Sequence, residues 1–299
     1  MTKSRERWLV TGALGCLGAW TVVTLVREGA SVVALDLGTD DRRLRLIAAP
    51  GELQEVIFVQ GDITEPETMR HVLAAHEITH VVHLAALQVP FCKADPVLGS
   101  QVNVTGTVSV FEAAKQHGLA TPIAYASSAA VYDEHGVVAP RTLYGVYKLA
   151  DEGLAAVYWQ DDGVASVGLR PFSVYGAGRD QGLTAGPTLA IAAALRGEPY
   201  RIGFGGRTQL HYAPDVARAF VRAGRSEPRG AATFSLGGPA TAIADFVAAV
   251  RHEIPGADIG FEDIPLPFPD ELPQPWFDLP LTPLEQGVRE TAGLLRAAV

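Results

Sequence analysis

Thr11-Gly12-Ala13-Leu14-Gly15-Cys16-Leu17-Gly18 is the stretch on which the reading of this chain turns. It follows a short apolar run, 8–10, and opens an amphipathic segment, 18–28, so its glycines sit where a strand hands over to a helix. Gly12 permits the tight turn, Gly15 lets backbone approach a pyrophosphate, and Gly18 allows the helix to pack closely on the strand. Cys16 and Leu17 lie at the helix start, whose free N–H groups and partial positive charge suit phosphate. Eighteen residues beyond Gly18, Asp36 closes the next apolar run. A carboxylate there accepts hydrogen bonds from both hydroxyls of an adenosine ribose and repels a 2′-phosphate, so the expected cofactor is NAD in preference to NADP, with Arg42 and Arg43 nearby arguing the other way.

Working outward, the runs 8–10, 31–36, 56–59, 80–85, 122–126 and 164–169 are β-branched and apolar on both faces. Helical segments 18–28, 65–76, 96–117 and 142–158 separate them. Strands of that kind alternating with helices indicate an α/β fold, a doubly wound parallel sheet of the Rossmann type. This assigns 1–170 to an NAD-binding domain and 171–299 to a smaller C-terminal substrate lobe, intertwined with the first as one structural unit. Helices are expected in the lobe at 187–196, 214–224 and 242–252. The run 265–283 holds seven prolines and reads as a loop. Thr282-Pro283-Leu284-Glu285 then predicts a terminal helix capped by Thr282.

Composition narrows the function classes. With 48% hydrophobic and 19% charged residues in 299, the chain has a globular profile, and a net charge of −9 disfavours nucleic acid as a partner. Cys16 and Cys92 form no C-x-x-C pair, and no metal is expected. Residues 1–7 lead into too short an apolar run for a signal peptide, and no later run approaches a membrane span. The expectation is a cytoplasmic protein without a membrane partner.

Tyr144-Gly145-Val146-Tyr147-Lys148 opens the helical segment 142–158, and i, i+4 spacing puts Tyr144 and Lys148 on one face. A phenol ionises near pH 10, so acting as a base at neutral pH requires a cation beside it, which Lys148 can supply. Tyr144 then takes the proton of a carbinol as the nicotinamide is reduced, and Lys148 also holds the nicotinamide ribose. Tyr147 is a decoy on another face. The strand before this helix ends in Ser127-Ser128, where open α/β sheets place ligand contacts, and Ser128 is the candidate donor to the reacting oxygen.

Together these residues resemble the extended short-chain dehydrogenase/reductases, the NAD-dependent epimerase/dehydratase family, from Trp8 to about Ala219. The resemblance implies that Asp62, in Gly61-Asp62-Ile63, contacts adenine, and that Leu84, Ala85 and Ala86 after His83 line the nicotinamide ribose. Asn103-Val104-Thr105-Gly106-Thr107 matches the N-V-x-G-T helix motif, and Ser128-Ala129-Ala130-Val131-Tyr132 the S-x-x-V-Y segment that carries the catalytic Ser or Thr. Arg170 to Gly176 is similar to R-x-x-N-V-Y-G, with Pro171 beside the nicotinamide and Ser173 where Asn is usual. Ile63, Asn103 and Ser127 join the cofactor set; Gln88, Ser128, Ser173, Arg179 and Arg207 are candidate substrate contacts.

Two departures shape the expected chemistry. Dehydratases of the family carry an Asp-Glu pair where this chain has Ala129 and Ala130. Nucleotide-sugar members carry R-D-F-x-[YH]-V-D-D-V where this chain has Thr208 to Val216, so Thr208 replaces the Arg that grips a diphosphate and Arg207 is one position off. The leading expectation is a sugar epimerase working through a transient ketone. The alternative is a net dehydrogenase of a free sugar, uronate or sugar acid, and a non-catalytic NAD-sensing regulator ranks third. The resemblance also implies a homodimer through helices 96–117 and 142–158.

Overall fold

The computed structural model describes residues 6–227, 229–267, 269–270 and 280–297. In chain order the elements are β1 (Arg7–Thr11), α1 (Cys16–Arg27), β2 (Ser31–Asp36), α2 (Arg42–Ile47), β3 (Ile57–Gln60), α3 (Pro66–Ala75), β4 (His80–His83), α4 (Val89–Ala94) and α5 (Pro96–Ser100). A π-helical turn at Gln101–Thr105 leads into α6 (Gly106–His117), then β5 (Ile123–Ala126), a 3-10 turn at Ala129–Val131, α7 (Leu143–Asp162), β6 (Ser166–Arg170) and β7 (Ser173–Tyr175). The remainder is α8 (Gly186–Leu195), β8 (Tyr200–Ile202), β9 (Arg207–Tyr212), α9 (Ala213–Gly224), β10 (Ala231–Ser235), β11 (Ala240–Ala242), α10 (Ile243–Glu253), β12 (Ile259–Phe261) and α11 (Leu284–Ala297).

Seven strands form one parallel sheet in the order β10-β6-β5-β4-β1-β2-β3. This is the doubly wound Rossmann arrangement. The order reverses between β1 and β4, which places the ligand crevice at the carboxyl ends of those strands. On one face Trp20 and Val23 of α1 and Val216 and Phe220 of α9 pack with Val10, Val82 and Ala124. On the other, Met69 and Val72 of α3 and Val110 and Phe111 of α6 pack with Leu9, Val33 and Val81. A third core gathers Ile191, Phe204, Phe246, Val250 and Val288 from the C-terminal part of the chain. The other five strands form two small sheets, β11-β9-β7 and β12-β8.

Several details differ from the sequence reading. The sheet has a seventh strand, because β10, which follows α9, pairs with β6 in parallel. The short helices α2 and α4 were not anticipated. The segment 96–117 is two α-helices joined by the π turn, which adds a residue and turns Asn103 fully inward. Ile57 and Phe58 are about half exposed, since β3 is an edge strand rather than one covered on both faces. The terminal helix is present, but Thr282 does not serve it as a cap: its N–H and hydroxyl both donate to Asp215, at 2.7 and 2.8 Å. Of the proline-rich run, 268 and 271–279 lie outside the described residues, and its described flanks contain no helix or strand before α11.

Candidate active site

A cleft of about 590 Å³ opens at the switch point, and the glycine loop forms its floor. The backbone packs so closely there that side chains are excluded. A Cβ on Gly12, whose φ is +65°, would lie 2.6 Å from the Ala85 nitrogen, and one on Gly18 would lie 2.0 Å from the Gly12 carbonyl oxygen. Gly15, Cys16 and Leu17 complete the cradle. The loop is tied to β2 by Asp36, whose carboxylate accepts from the Leu14 N–H at 2.9 Å and the Gly38 N–H at 3.1 Å. Burial pushes the Cys16 thiol up to about 11, so it is a neutral packing group.

Asp36, Asp62, Ile63, Leu84, Ala85 and Ala86 line the cleft with the loop. These residues fit a bound NAD: a glycine cradle and helix start for the pyrophosphate, and a carboxylate at the end of β2 for the ribose. Arg42 and Arg43 do not offer themselves to a 2′-phosphate, because both are bound to Asp180. Arg43 donates to it at 2.6 Å and also to the carbonyls of Leu14 and Gly178, while Arg42 donates to it at 3.1 Å.

Asn103 does not reach the cleft. Its amide bonds both polar backbone atoms of Leu87, at 2.7 and 2.9 Å, and so fixes the loop 84–88 that does. His83 is buried between the Thr11 hydroxyl, 2.7 Å from Nδ1, and Thr107, 3.2 Å from Nε2. Burial, with the Lys148 charge adding to it, lowers the ring to about 3, so it is neutral at pH 7.

The opposite wall holds the Tyr144–Lys148 pair and the two serines that follow β5. Tyr144, Lys148, Ser127, Ser128 and Pro171 line the same cleft. Thr142 caps α7 by accepting from the Gly145 N–H at 3.0 Å, and Gly145 lets this helix start rest against the 3-10 turn after Ser128. Ser128 Oγ accepts from the Ala130 N–H at 3.1 Å, which leaves its own proton free to donate. Lys148 is 2% exposed, with Nζ 5.9 Å from the Tyr144 ring centre and 3.1 Å from Asp151 Oδ2. Burial alone would lower the Lys148 ammonium; the charges of Asp151 and Tyr144 outweigh it and hold it above the ordinary lysine value. Ser127 donates to Glu152, which also binds Arg170, so α7 is clamped to β5 and β6. Tyr147 turns away and donates to the Pro96 carbonyl at 2.9 Å.

Of the candidate substrate contacts, Gln88, Ser128 and Arg179 line the cleft, and Ser173 and Arg207 do not. Ser173 is fully buried, its hydroxyl 3.3 Å from that of Thr208. Arg207 points outward on the alternate face of β9 and donates to the Ala240 carbonyl at 2.6 Å. Arg179 reaches Gln88 and Thr184 at 3.4 and 3.3 Å, and its buried Nε has no partner. Sequence reasoning passed over His211, which accepts from the Phe172 N–H at 3.1 Å and lies 3.2 Å from the Gly237 carbonyl. It holds the Pro171-Phe172 corner of the cleft through the Nε2–H tautomer. It also passed over Asp151 and Asp180; the former stands three residues after Lys148, a spacing that was open to view.

Residues 8–237 match the sequence model of the NAD dependent epimerase/dehydratase family. The chain belongs to that family. It is 31% identical over 278 residues to UDP-glucose 4-epimerase of Mycolicibacterium smegmatis, a match covering 89% of this chain and 87% of that one. It is 33% identical over 181 residues to UDP-glucuronate 4-epimerase 6 of Arabidopsis thaliana, where the match covers 56% of this chain and only 39% of the plant protein. In structure it is similar to UDP-glucose 4-epimerase of Thermus thermophilus in complex with NAD, with a TM-score of 0.82 and 26% identity, covering 98% of this chain and 100% of that one. Among the described residues no helix is long and apolar enough to cross a membrane.

Proposed function

We propose that this chain is an NAD-dependent sugar epimerase acting through a transient ketone. The observation that carries the reading is the convergence of Tyr144, Lys148 and Ser128 on the cleft whose floor is the glycine cradle. NAD, held by that cradle and Asp36, supplies a two-electron oxidant and, once reduced, the matching reductant. Tyr144 takes the proton of the substrate hydroxyl, and the Lys148 ammonium beside it stabilises the phenolate. Ser128, its oxygen already engaged by Ala130 N–H, donates a hydrogen bond to the substrate oxygen and steadies it as it becomes a carbonyl. After the ketone turns its other face, Tyr144 returns the proton. Ala129 and Ala130 offer no carboxylate for moving a second proton, so dehydration is not part of the scheme.

The named relatives are UDP-sugar epimerases, and a UDP-sugar is the first substrate class to test. A second reading, net oxidation of a free uronate or sugar acid, is favoured by the buried Ser173 and Thr208 hydroxyl pair, which presents no cation to a diphosphate. Arg179, whose side chain lines the cleft, suits a carboxylate on such a substrate. Incubation with NAD and either UDP-sugars or free uronates and aldonates separates the two. Inverted product without accumulated NADH supports the epimerase, stoichiometric NADH supports the dehydrogenase, and neither result returns attention to an NAD-sensing role.

We also propose a homodimer through the helical segment 96–117 and α7. Val97 and Leu98 on α5 and Val146 and Val157 on α7 are exposed at 66%, 45%, 46% and 55%. A single-chain mass by light scattering would count against it. The cytoplasm suits the two unpaired cysteines.

A further inference from the structure

The Lys148 ammonium has a counter-ion built into the wall behind it. Asp151 lies three residues on along α7, on the same face, and its Oδ2 is 3.1 Å from Nζ. The two side chains are 3% and 1% exposed, and the other Asp151 oxygen, Oδ1, is enclosed without a hydrogen-bond partner. A buried pair in this state is costly to assemble, and an apolar residue would pack α7 against the sheet at lower cost.

The surrounding groups leave Asp151 as the counter-ion. Glu152 on α7 is engaged by Arg170 and Ser127. His83 on β4 is neutral, because burial lowers the ring to about 3. Cys92 on α4 directs its thiol at the Leu87 carbonyl, and burial pushes it up. Tyr125 on β5 is likewise pushed up by burial. Tyr144 is the remaining titratable neighbour, and Thr107 on α6 supplies a hydroxyl that lies close to Asp151 and donates to the Asn103 carbonyl at 2.6 Å.

We propose that Asp151 is a positioning residue for the reaction: its carboxylate keeps the buried Lys148 charged and pins the ammonium in the cleft wall beside Tyr144. The proposal rests on Tyr144 and Lys148 being the catalytic pair. Without Asp151 the ammonium is a buried charge with no partner, and it sheds its proton at lower pH.

The chain has four lysines, so lysine labelled with ¹³C at Cε gives few signals, and that of Lys148 is assigned by its loss in Lys148→Arg. In the wild type the Lys148 signal should remain that of an ammonium up to about pH 10. In Asp151→Asn its titration should fall by more than about one pH unit, with Asp151→Glu restoring part of the shift. The alkaline limb of kcat should move with it, with KM nearly unchanged. A wild-type Lys148 that titrates below about pH 9 overturns the proposal without any variant, and so does an unmoved titration in a folded Asp151→Asn. The catalytic reading fails separately: a Tyr144→Phe variant that turns over normally removes Tyr144 from the mechanism and leaves the lysine titration to be judged on its own.

Discussion

Gly145→Ala tests whether the contact between α7 and the turn after Ser128 sets the catalytic geometry. The added Cβ would stand 2.1 Å from the Ala130 carbonyl oxygen, and 3.0 Å from both its carbonyl carbon and Pro140 Cβ. Ordinary separations are about 3.5 Å, so helix and turn must part by more than about 1 Å. Overpacking of this kind costs about 1–3 kcal/mol of stability. Because Tyr144 adjoins Gly145 on the helix and Ser128 adjoins the turn, a displacement of about 1 Å should lower kcat by about 100-fold. NAD affinity, set mainly by the glycine loop and Asp36, should change by less than about threefold. Gly153→Ala on the same helix is the control: its Cβ would meet nothing within 4 Å, so stability should rise by up to about 1 kcal/mol with activity unchanged. Urea unfolding, steady-state kinetics and NAD titration on the two variants decide the matter. A Gly145→Ala protein with wild-type kcat refutes the reasoning, and so does one whose loss is entirely in NAD affinity.

Cofactor choice should depend on two acids rather than one. Asp36→Ser should weaken NAD without creating NADP binding, because Arg42 and Arg43 remain tied to Asp180; adding Asp180→Asn should free them and raise NADP affinity, and calorimetric titration of both dinucleotides would expose an error if the single change suffices. Acid should destabilise the fold through two buried neutral histidines, His83 lowered to about 3 and His211 to about 4, both by burial from an ordinary 6.5. The unfolded chain binds more protons below about pH 6.5, so stability should fall as pH drops through that window by up to about 1.4 kcal/mol per unit for each ring. If a folded variant lacking both rings, His83→Asn with His211→Asn, shows the same slope between pH 7 and 5 as the wild type, the assignment is wrong.

What was legible in the sequence was what the chain writes locally. Gly12 to Gly18, Asp36 and the Tyr144–Lys148 spacing each lie within one strand-turn-helix unit, and their geometry follows from that unit alone. The alternation of side chains along β9 turns Arg207 and Thr208 opposite ways. What escaped notice depends on contacts between distant segments. Arg43 meets Asp180 across 137 residues, and Thr282 meets Asp215 across 67, which removes the cap that the Thr-Pro-x-Glu pattern promised. β10, Ala-Ala-Thr-Phe-Ser, is too weakly apolar to announce itself as a sheet strand, and it becomes one because α9 delivers it beside β6. The three-residue strands of the lobe are too short to show a period.

The most direct test of the central claim is single-turnover reaction of Tyr144→Phe beside the wild type, using the substrate that the panel identifies, with NAD affinity measured on the same samples. The account predicts loss of turnover by two or more orders of magnitude, in keeping with removal of a general base, with NAD binding nearly intact. Turnover at the wild-type rate would contradict it, and the base would have to be sought elsewhere in the cleft.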